Sequence, residues 1–267
     1  MSDQPPAGRV VTVRLTAKCL YQCAHCCFEC GPKRSEVMSL ATALEVRKTF
    51  EGHVSWLNCM GGELTLLPNY EQLLDALHFV PLRIVTNGWW VNAAKACEKL
   101  LSVVRSLSAS GAPVYIGISR DRHHPAGVGD KAMEWLRSQT AFNEDWGFTA
   151  TKDLDEEERA IAPVGRAFQN ELGDEMLRMF SAYCSAHKHR QSMTVLEDGV
   201  VTYCPFGAWP MGYLAWGFDE LESIRLRIDK VFKANCVSCW RQWAWGGGKQ
   251  MAYEKLRQSD AERKAEV

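Results

Sequence analysis

Along the first 120 positions of the chain, short apolar runs alternate with segments in which apolar residues are spaced three or four positions apart. Short runs rich in β-branched residues predict four strands, at residues 11–15, 54–58, 82–85 and 114–118. Between these runs, apolar residues recur every three or four positions, which predicts helices. The repeated order of strand, loop and helix predicts parallel strands with right-handed crossovers, and therefore an α/β fold.

The sequence also marks where two of these helices begin. Ser39 is a suitable N-cap for the first helix, and Asn69 followed by Gln72 resembles a capping box for the second. The apolar residues expected to share the buried face of the first helix are Leu40, Ala43, Leu44 and Phe50.

Polar and glycine-rich segments follow the predicted strands. Gly61-Gly62-Glu63 follows the second strand, Asn87 the third, and Ser119-Arg120-Asp121 the fourth. This arrangement favours a barrel or a partial barrel, in which the C-terminal ends of the strands carry the chemistry. We therefore expect a functional site where these loops meet.

The rest of the chain has a different pattern. A helix near residues 131–137 and a strand near residues 148–151 are followed by a charge run over 152–159, which is typical of a solvated connector. Two apolar runs flank Glu197-Asp198-Gly199, which predicts a β-hairpin. A helix is predicted over residues 218–232, and the charged tail after it is expected to form a surface helix.

Composition narrows the classes of function. The 267 residues include 31 Lys or Arg and 32 Asp or Glu, for a net charge of −1, and 46% are hydrophobic. This balance argues against an extended nucleic-acid surface but leaves room for a nucleotide in a pocket. The chain lacks the roughly 20 consecutive apolar residues of a membrane span. It also lacks a signal-peptide layout at the N-terminus. We expect a cytoplasmic protein without a membrane partner.

The 11 cysteines are the unusual part of the composition. An odd number cannot pair completely, and a chain without a secretory signal is expected to keep its thiols free or bound to metal. Cys19, Cys23 and Cys26 have the spacing C-x3-C-x2-C. Three thiolates leave one iron of a four-iron cluster open to a small molecule. The triad alone is also compatible with a zinc site completed by Cys27 or Cys30, or with structural thiols.

The triad and the loops after the next three strands together resemble the motifs of radical S-adenosylmethionine (AdoMet) enzymes. The resemblance covers the first 120 residues and implies a partial parallel (β/α) barrel of radical SAM type, with a 4Fe-4S cluster on Cys19, Cys23 and Cys26. It implies that Gly61, Gly62 and Glu63 hold the methionine ammonium group and that His25 packs against the adenine. The residues implied to contact the ribose and the methionine carboxylate are Asn87, Ser119 and Arg120.

The same resemblance implies the reaction. The reduced cluster cleaves AdoMet to methionine and a 5′-deoxyadenosyl radical, which abstracts a hydrogen atom from a substrate. The substrate is a small molecule, a nucleotide or a peptide, and the electron comes from a donor such as a flavodoxin or a ferredoxin. Such an enzyme is an oxidoreductase or an isomerase.

A second set of cysteines lies in the last third of the chain, at Cys184, Cys204, Cys236 and Cys239. Four thiolates fully ligate a 4Fe-4S cluster. The arrangement resembles the twitch domain, a shortened relative of the SPASM domain that holds an auxiliary cluster; a structural zinc site is the alternative. The expected division is a flexible arm over residues 1–9, the barrel over 10–170, the twitch-like domain over 171–248 and a charged tail over 249–267.

Three residues are candidates for contact with the substrate. Arg166 lies in a P-x-G-R-A segment that resembles one near the active site of several relatives, and a surface salt bridge is its alternative role. Asp121 and His123, followed by His124, come after the fourth strand.

Three functions remain open at this point. One is oxidation with the auxiliary cluster as electron acceptor. Another is a redox-neutral rearrangement of a modified nucleotide, nucleic acid or peptide. The last is a non-catalytic iron–sulfur or zinc module.

Overall fold

The computed structural model describes residues 9–119, 123–139, 192–204, 209–231 and 248–265. The strands in these ranges are β1 (Val10–Thr16), β2 (Trp56–Gly61), β3 (Leu82–Thr86), β4 (Val114–Ile118), β5 (Ser192–Val195), β6 (Val200–Thr202) and β7 (Pro210–Tyr213). They form one sheet in the order β4-β3-β2-β1-β5-β6-β7. The pairs from β4 to β1, and the pair of β1 with β5, are parallel, whereas β6 runs antiparallel to β5 and β7. The predicted α/β fold is confirmed.

Six α-helices lie in the described ranges, and the first three connect the parallel strands β1 to β4 as expected. They are α1 (Leu40–Phe50), α2 (Tyr70–Leu77), α3 (Ala94–Ser110), α4 (Val128–Ser138), α5 (Phe218–Val231) and α6 (Gly248–Ala265). Short 3-10 segments cover Leu64–Leu66, Trp89–Asn92 and Leu214–Trp216. The first four helices pack on the sheet around a common core. The largest fully buried side chains include Phe50, Leu57, Leu74, Ile84, Trp90, Leu100 and Ile116.

The start of α1 is confirmed, but two of the four residues of its predicted buried face are exposed. The Ser39 side chain accepts a hydrogen bond from the Thr42 N–H at 3.0 Å. Ala43 and Phe50 are buried as predicted, whereas Leu40 and Leu44 are 40% and 51% exposed and the helix also buries Val46 and Thr49. On this face the hydroxyl of Thr49 donates to the carbonyl oxygen of Leu214 at 3.3 Å, far away in the sequence.

The predicted capping box of α2 is also wrong. Asn69 precedes the helix, but its side chain makes no capping hydrogen bond. Its backbone has φ −109° and ψ 19°, whereas an N-cap side chain reaches the first turn from an extended backbone.

The hairpin predicted around Glu197-Asp198-Gly199 is confirmed as β5 and β6. Gly199 has φ +82°, which glycine adopts without strain, and Val200 N donates to Asp198 Oδ1 at 3.2 Å. Strand β5 pairs with β1 in register from Val10 to Val13, so the hairpin extends the sheet of the barrel.

The helix predicted over 218–232 and the one in the charged tail are confirmed as α5 and α6. Leu256 of α6 is 6% exposed and packs with Leu196 and Val200 of the hairpin region. In the described part of the chain, no helix is both long and apolar enough to cross a membrane.

Several expected features lie outside the described residues. They are residues 1–8 of the arm, the strand near 148–151, the charge run over 152–159 and the boundary at residue 170. Arg9, at the end of the expected arm, forms an ion pair with Glu222 at 2.9 Å.

Candidate metal and cofactor site

A cavity lies at the C-terminal ends of β1 to β4. Its lining comes from the loop after β1, the end of β2, the end of β3 and the residue after β4. The predicted site residues that line it are Cys19, Cys23, His25, Cys26, Gly61, Gly62, Asn87 and Ser119. These residues are up to 100 positions apart in the sequence, and the parallel strands bring them to one place.

The loop that carries the triad closes on its own base. Gly31 N donates to the Ala17 carbonyl oxygen at 3.1 Å, and Cys19 N donates to the Gly31 carbonyl oxygen at 3.2 Å. These bonds hold Cys19 close to the end of β1. Within the loop, Cys26 N donates to the Cys23 carbonyl oxygen at 3.2 Å, a turn that brings two triad members together.

Two of the triad thiols accept backbone or side-chain N–H groups. Cys19 Sγ accepts from Tyr21 N at 3.4 Å and from Asn87 Nδ2 at 3.5 Å. Cys26 Sγ accepts from Cys30 N at 3.3 Å. Burial raises the pKa of Cys19, and its two N–H donors act in the opposite direction because they favour the thiolate. Such donors are what a metal-bound thiolate requires.

Of the two additional thiols of the loop, Cys30 is the more enclosed, whereas Cys27 is only partly buried. Cys30 is 1% exposed, and its Sγ lies 3.8 Å from the Phe28 carbonyl oxygen, to which its S–H donates. Burial raises the pKa of Cys27, and the nearby Cys26 and Cys204 thiols raise it further. Cys204, a member of the second cysteine set, therefore lies within electrostatic reach of the first loop. Among the described residues, no three His, Cys, Asp or Glu side chains converge to hold a single metal ion.

Gly61 and Gly62 allow two backbones to approach closely. Gly62 N donates to the Thr16 carbonyl oxygen at 2.7 Å, and Glu63 N donates to the Lys18 carbonyl oxygen at 2.9 Å. A Cβ on Gly62 would lie 2.0 Å from the Lys18 carbonyl oxygen. The glycines thus hold the end of β2 against the segment that leads into Cys19.

Glu63 is fully buried and joins the ends of β2 and β3. Its Oε1 accepts from the hydroxyl of Thr65 at 2.6 Å and from Thr65 N at 3.3 Å. Its Oε2 accepts from the hydroxyl of Thr86 at 2.7 Å and from Asn87 N at 3.0 Å. Burial raises the pKa of this carboxyl, and the four hydrogen bonds oppose that rise. No described cation pairs with it. Glu63 itself does not line the cavity, whereas its neighbours Gly62, Thr86 and Asn87 do.

Histidine rings meet on another side of the cavity. The ring of His25 lies 5.0 Å from that of His123 and 4.8 Å from that of His124, measured between centroids. His25 and His124 line the cavity. The loop after β4 thus contacts the cysteine loop through these rings.

Other predicted site residues lie outside the described ranges. They are Arg120, Asp121, Arg166, Cys184, Cys236 and Cys239. Cys204 is described, just after β6, where its carbonyl oxygen accepts from the Thr202 hydroxyl at 3.1 Å.

Sequence reasoning missed the partners of Glu63. Thr65 and Thr86 donate to it, and neither was a candidate. The contact between Glu63 and Thr65 is local, because the two residues are only two positions apart. Thr86 is recognised only once β3 is known to end beside β2.

A larger cavity of about 580 Å³ lies between β7, α5 and α6. Trp209, Trp216 and Met251 contribute apolar surface, and Lys255 and Arg263 contribute charge. Its described lining contains no cysteine, so it is separate from the triad.

No protein-family model and no curated protein matches the chain. Among solved structures, it is similar to BtrN in complex with AdoMet and 2-DOIA, with a TM-score of 0.54 and 15% identity over 85% of this chain and 89% of BtrN. It also aligns with anSMEcpe with bound AdoMet and Cp18Cys peptide, with a TM-score of 0.49 and 14% identity over 86% of this chain and 82% of that one. For SuiB of Streptococcus suis bound to S-adenosylmethionine, the values are 0.37, 12%, 73% and 60%.

The similarity to BtrN extends over most of both chains and establishes the fold. The expected partial parallel barrel is therefore confirmed.

Proposed function

We propose that this chain is a radical AdoMet enzyme whose 4Fe-4S cluster is bound by Cys19, Cys23 and Cys26. One observation carries the proposal: loops from four parallel strands bring these thiols into the same cavity as Gly61, Gly62, Asn87 and Ser119. Chemistry at the C-terminal ends of such strands is the usual arrangement in barrels.

The chemistry of the donor set fits an iron–sulfur cluster. Thiolates are the ligands of such clusters, and the N–H donors on Cys19 and Cys26 stabilise thiolates. The three sulfurs share one cavity, which leaves its remaining space for a molecule bound to the open iron.

The environment of Glu63 fits the ammonium group of AdoMet. A buried carboxylate surrounded only by neutral donors among the described residues lacks a counter-charge, which a cation in the adjacent cavity supplies. We assign the ammonium group to the backbone of Gly61 and Gly62 and to Glu63, and the adenine to His25. Asn87, Ser119 and Arg120 are assigned to the ribose and the methionine carboxylate. BtrN, which has the same fold, binds AdoMet.

When bound, the reduced cluster and AdoMet supply a 5′-deoxyadenosyl radical that abstracts a hydrogen atom from the substrate. The role of this chain is to hold the reactants in place and exclude water. His25 and His124 line one side of the cavity, and the ring of His123 lies next to that of His25. We propose His123, Asp121 and Arg166 as substrate contacts.

We propose that the net reaction is oxidation of a small molecule or a peptide. An auxiliary 4Fe-4S cluster on Cys184, Cys204, Cys236 and Cys239 would accept the electron of the substrate radical after loss of a proton. In length and cysteine layout the chain resembles 2-deoxy-scyllo-inosamine dehydrogenase. Cys204 follows β6, which belongs to the same sheet as the strands around the cavity. Product formation without net electron release would instead identify an isomerase.

Iron content tests the two clusters. Anaerobically reconstituted wild type is expected to hold about eight irons per chain, four for each cluster. The triple variant Cys19→Ala, Cys23→Ala, Cys26→Ala should lose about half, and so should Cys236→Ala with Cys239→Ala. Cys97→Ala is the matched control, because this thiol is buried in α3 and donates to the Trp90 carbonyl oxygen. Full iron in the triple variant, or zinc in place of iron in the wild type, would refute the assignment.

A further inference from the structure

The side chain of Asn87 bridges a backbone N–H and a triad thiol. Its Oδ1 accepts from Trp89 N at 3.0 Å, and its Nδ2 donates to Cys19 Sγ at 3.5 Å. The backbone N–H of Trp89 is always a donor, so the amide atom that faces it is oxygen. The other end, which faces the sulfur, is therefore the NH₂ group.

Asn87 is also held through its own backbone. Its N–H donates to Glu63 Oε2 at 3.0 Å, and the same oxygen accepts the hydroxyl of Thr86. Asn87 is 9% exposed. Because backbone and side chain are both fixed, little conformational entropy is lost in presenting the donor to Cys19.

A donor at this position changes the energy of the sulfur. Hydrogen bonds to charged groups are stronger than those to neutral groups, so the bond favours the thiolate. Reduction adds one electron to a cluster and increases the negative charge on its sulfurs. Hydrogen bonds to the sulfurs are among the factors that set the reduction potential of iron–sulfur clusters. The bond to Cys19 should therefore stabilise the reduced form.

We propose that Asn87 is a positioning residue that orients Cys19 through an N–H···S bond and raises the reduction potential of the cluster bound there. The proposal rests on the proposed function, since it requires a cluster on Cys19. It assigns to Asn87 a role that is exerted before AdoMet binds and is separate from contact with the ribose.

The test compares three variants with the wild type in the reconstituted full chain. Asn87→Asp keeps the acceptor for Trp89 and replaces the donor to Cys19 by a negative oxygen, and Asn87→Ala removes the side chain. Asn92→Asp is the matched control, because Asn92 is exposed and donates to the Trp89 carbonyl oxygen at 3.1 Å in the same segment. Iron content is measured first. The cluster on the triad is identified as the one whose electron paramagnetic resonance signal changes when AdoMet is added. Its midpoint potential is then measured by redox titration in the absence of AdoMet.

We expect iron content to stay at the wild-type level in all three variants. At a fixed potential, the ratio of oxidised to reduced cluster should rise at least tenfold in Asn87→Asp, which equals about 59 mV for one electron. In Asn87→Ala it should rise at least threefold, or about 28 mV. Asn92→Asp should leave the ratio unchanged.

Three results would overturn the proposal. One is an unchanged midpoint in both Asn87 variants at full iron content. Another is an equal shift in Asn92→Asp, which would reflect charge alone. The third is weaker AdoMet binding without a change in potential, which would assign Asn87 to the ribose only. A wild type that takes up no iron would instead refute the proposed function.

Discussion

Glu63 is a carboxylate whose charge has no counter-charge in the described part of the protein. Four neutral donors surround it, and burial nevertheless raises its pKa. The ionised form is thus held at a cost in free energy that a bound ammonium group would offset. The pH dependence of stability and the binding of AdoMet both depend on this balance.

The variant Glu63→Gln tests the charge. Because the pKa of Glu63 is raised in the folded state, the native protein binds more protons than the unfolded chain above pH 4.5, so its stability falls as pH increases through the folded pKa. Gln does not titrate. The stability advantage of wild type over Glu63→Gln, measured by urea unfolding, should therefore shrink as the pH rises above 4.5.

The same variant should also bind AdoMet more weakly than the wild type. Loss of a hydrogen bond to a charged group costs about 1.5–3 kcal/mol, so Glu63→Gln should weaken AdoMet binding roughly 10- to 100-fold at neutral pH. Titration calorimetry measures this. A stability advantage that grows with pH, together with unchanged AdoMet affinity, would contradict the role given to Glu63.

Single residues show how far the site is readable from sequence. The spacing of the triad predicts metal ligands but leaves the metal open, and Gly61, Gly62, Asn87 and Ser119 became candidates through the resemblance to radical AdoMet enzymes. The structure brings all of them to one cavity. The bond from Asn87 to Cys19 was not predicted. It depends on the distance between the end of β3 and the loop after β1, which no local pattern encodes.

At the scale of elements, the contact between the end of β2 and the segment after β1 positions the triad. The two backbones meet at Gly62 and Lys18, directly before Cys19. A larger residue at position 62 would separate the segments.

The variant Gly62→Ala should therefore lose iron. Its Cβ would lie 2.0 Å from the Lys18 carbonyl oxygen, which forces Lys18 and Cys19 to move, and overpacking of this kind costs typically about 1–3 kcal/mol. Gly52→Ala is the control, because Gly52 has φ +80° but no atom within 4 Å of an added Cβ. The free energy of unfolding of Gly52→Ala should fall by about 1–2 kcal/mol because of backbone strain, and this variant should keep its iron. Equal iron content in the two variants would show that the contact does not position the triad.

A buried ion pair connects β1 to the hairpin of β5 and β6. Arg14 Nη2 donates to Glu197 Oε1 at 2.8 Å, and the two side chains are 13% and 7% exposed. The Arg14 guanidinium also lies 5.9 Å from the ring of Phe28 in the cysteine loop. Strand β1, the hairpin and the cysteine loop therefore meet at the guanidinium group of Arg14.

Removal of one partner should be costly. Glu197→Gln leaves Arg14 without its counter-charge. Such a change typically lowers the free energy of unfolding by about 3–5 kcal/mol. Glu51→Gln in the exposed pair with Arg47 should cost no more than about 0.5 kcal/mol. Both values follow from chemical denaturation at neutral pH. A loss of similar size in the two variants would mean that the pair does not bind the hairpin to β1.

The elements themselves were largely predictable, but their contacts were not. The four strands and the hairpin follow from short-range alternation and from Asp198-Gly199. Only part of the buried face of α1 was predicted, because its contacts include residues distant in sequence such as Leu214, which lies 165 positions from its partner Thr49. The spacing of apolar residues indicates that a helix has an apolar face. The elements that pack against the helix determine which residues are buried.

For the whole molecule, the central feature is one sheet that supports every described part of the site. Strands β1 to β4 carry the loops around the cavity, and β5 to β7 extend the sheet past β1 toward Cys204. Helix α6 packs on the hairpin through Leu256. Cys204, one of the four residues proposed to bind the second cluster, therefore follows a strand of the same sheet that carries the loops around the cavity.

The formation of 5′-deoxyadenosine tests the central claim most directly. Reconstituted protein is mixed anaerobically with AdoMet and dithionite, and the product is quantified by mass spectrometry. Wild type and the Cys97→Ala variant should form 5′-deoxyadenosine with methionine in equal amounts, whereas the triple variant of Cys19, Cys23 and Cys26 should form none. Wild type that holds its iron and binds AdoMet but forms no 5′-deoxyadenosine, or a triple variant that forms as much as wild type, would contradict the account.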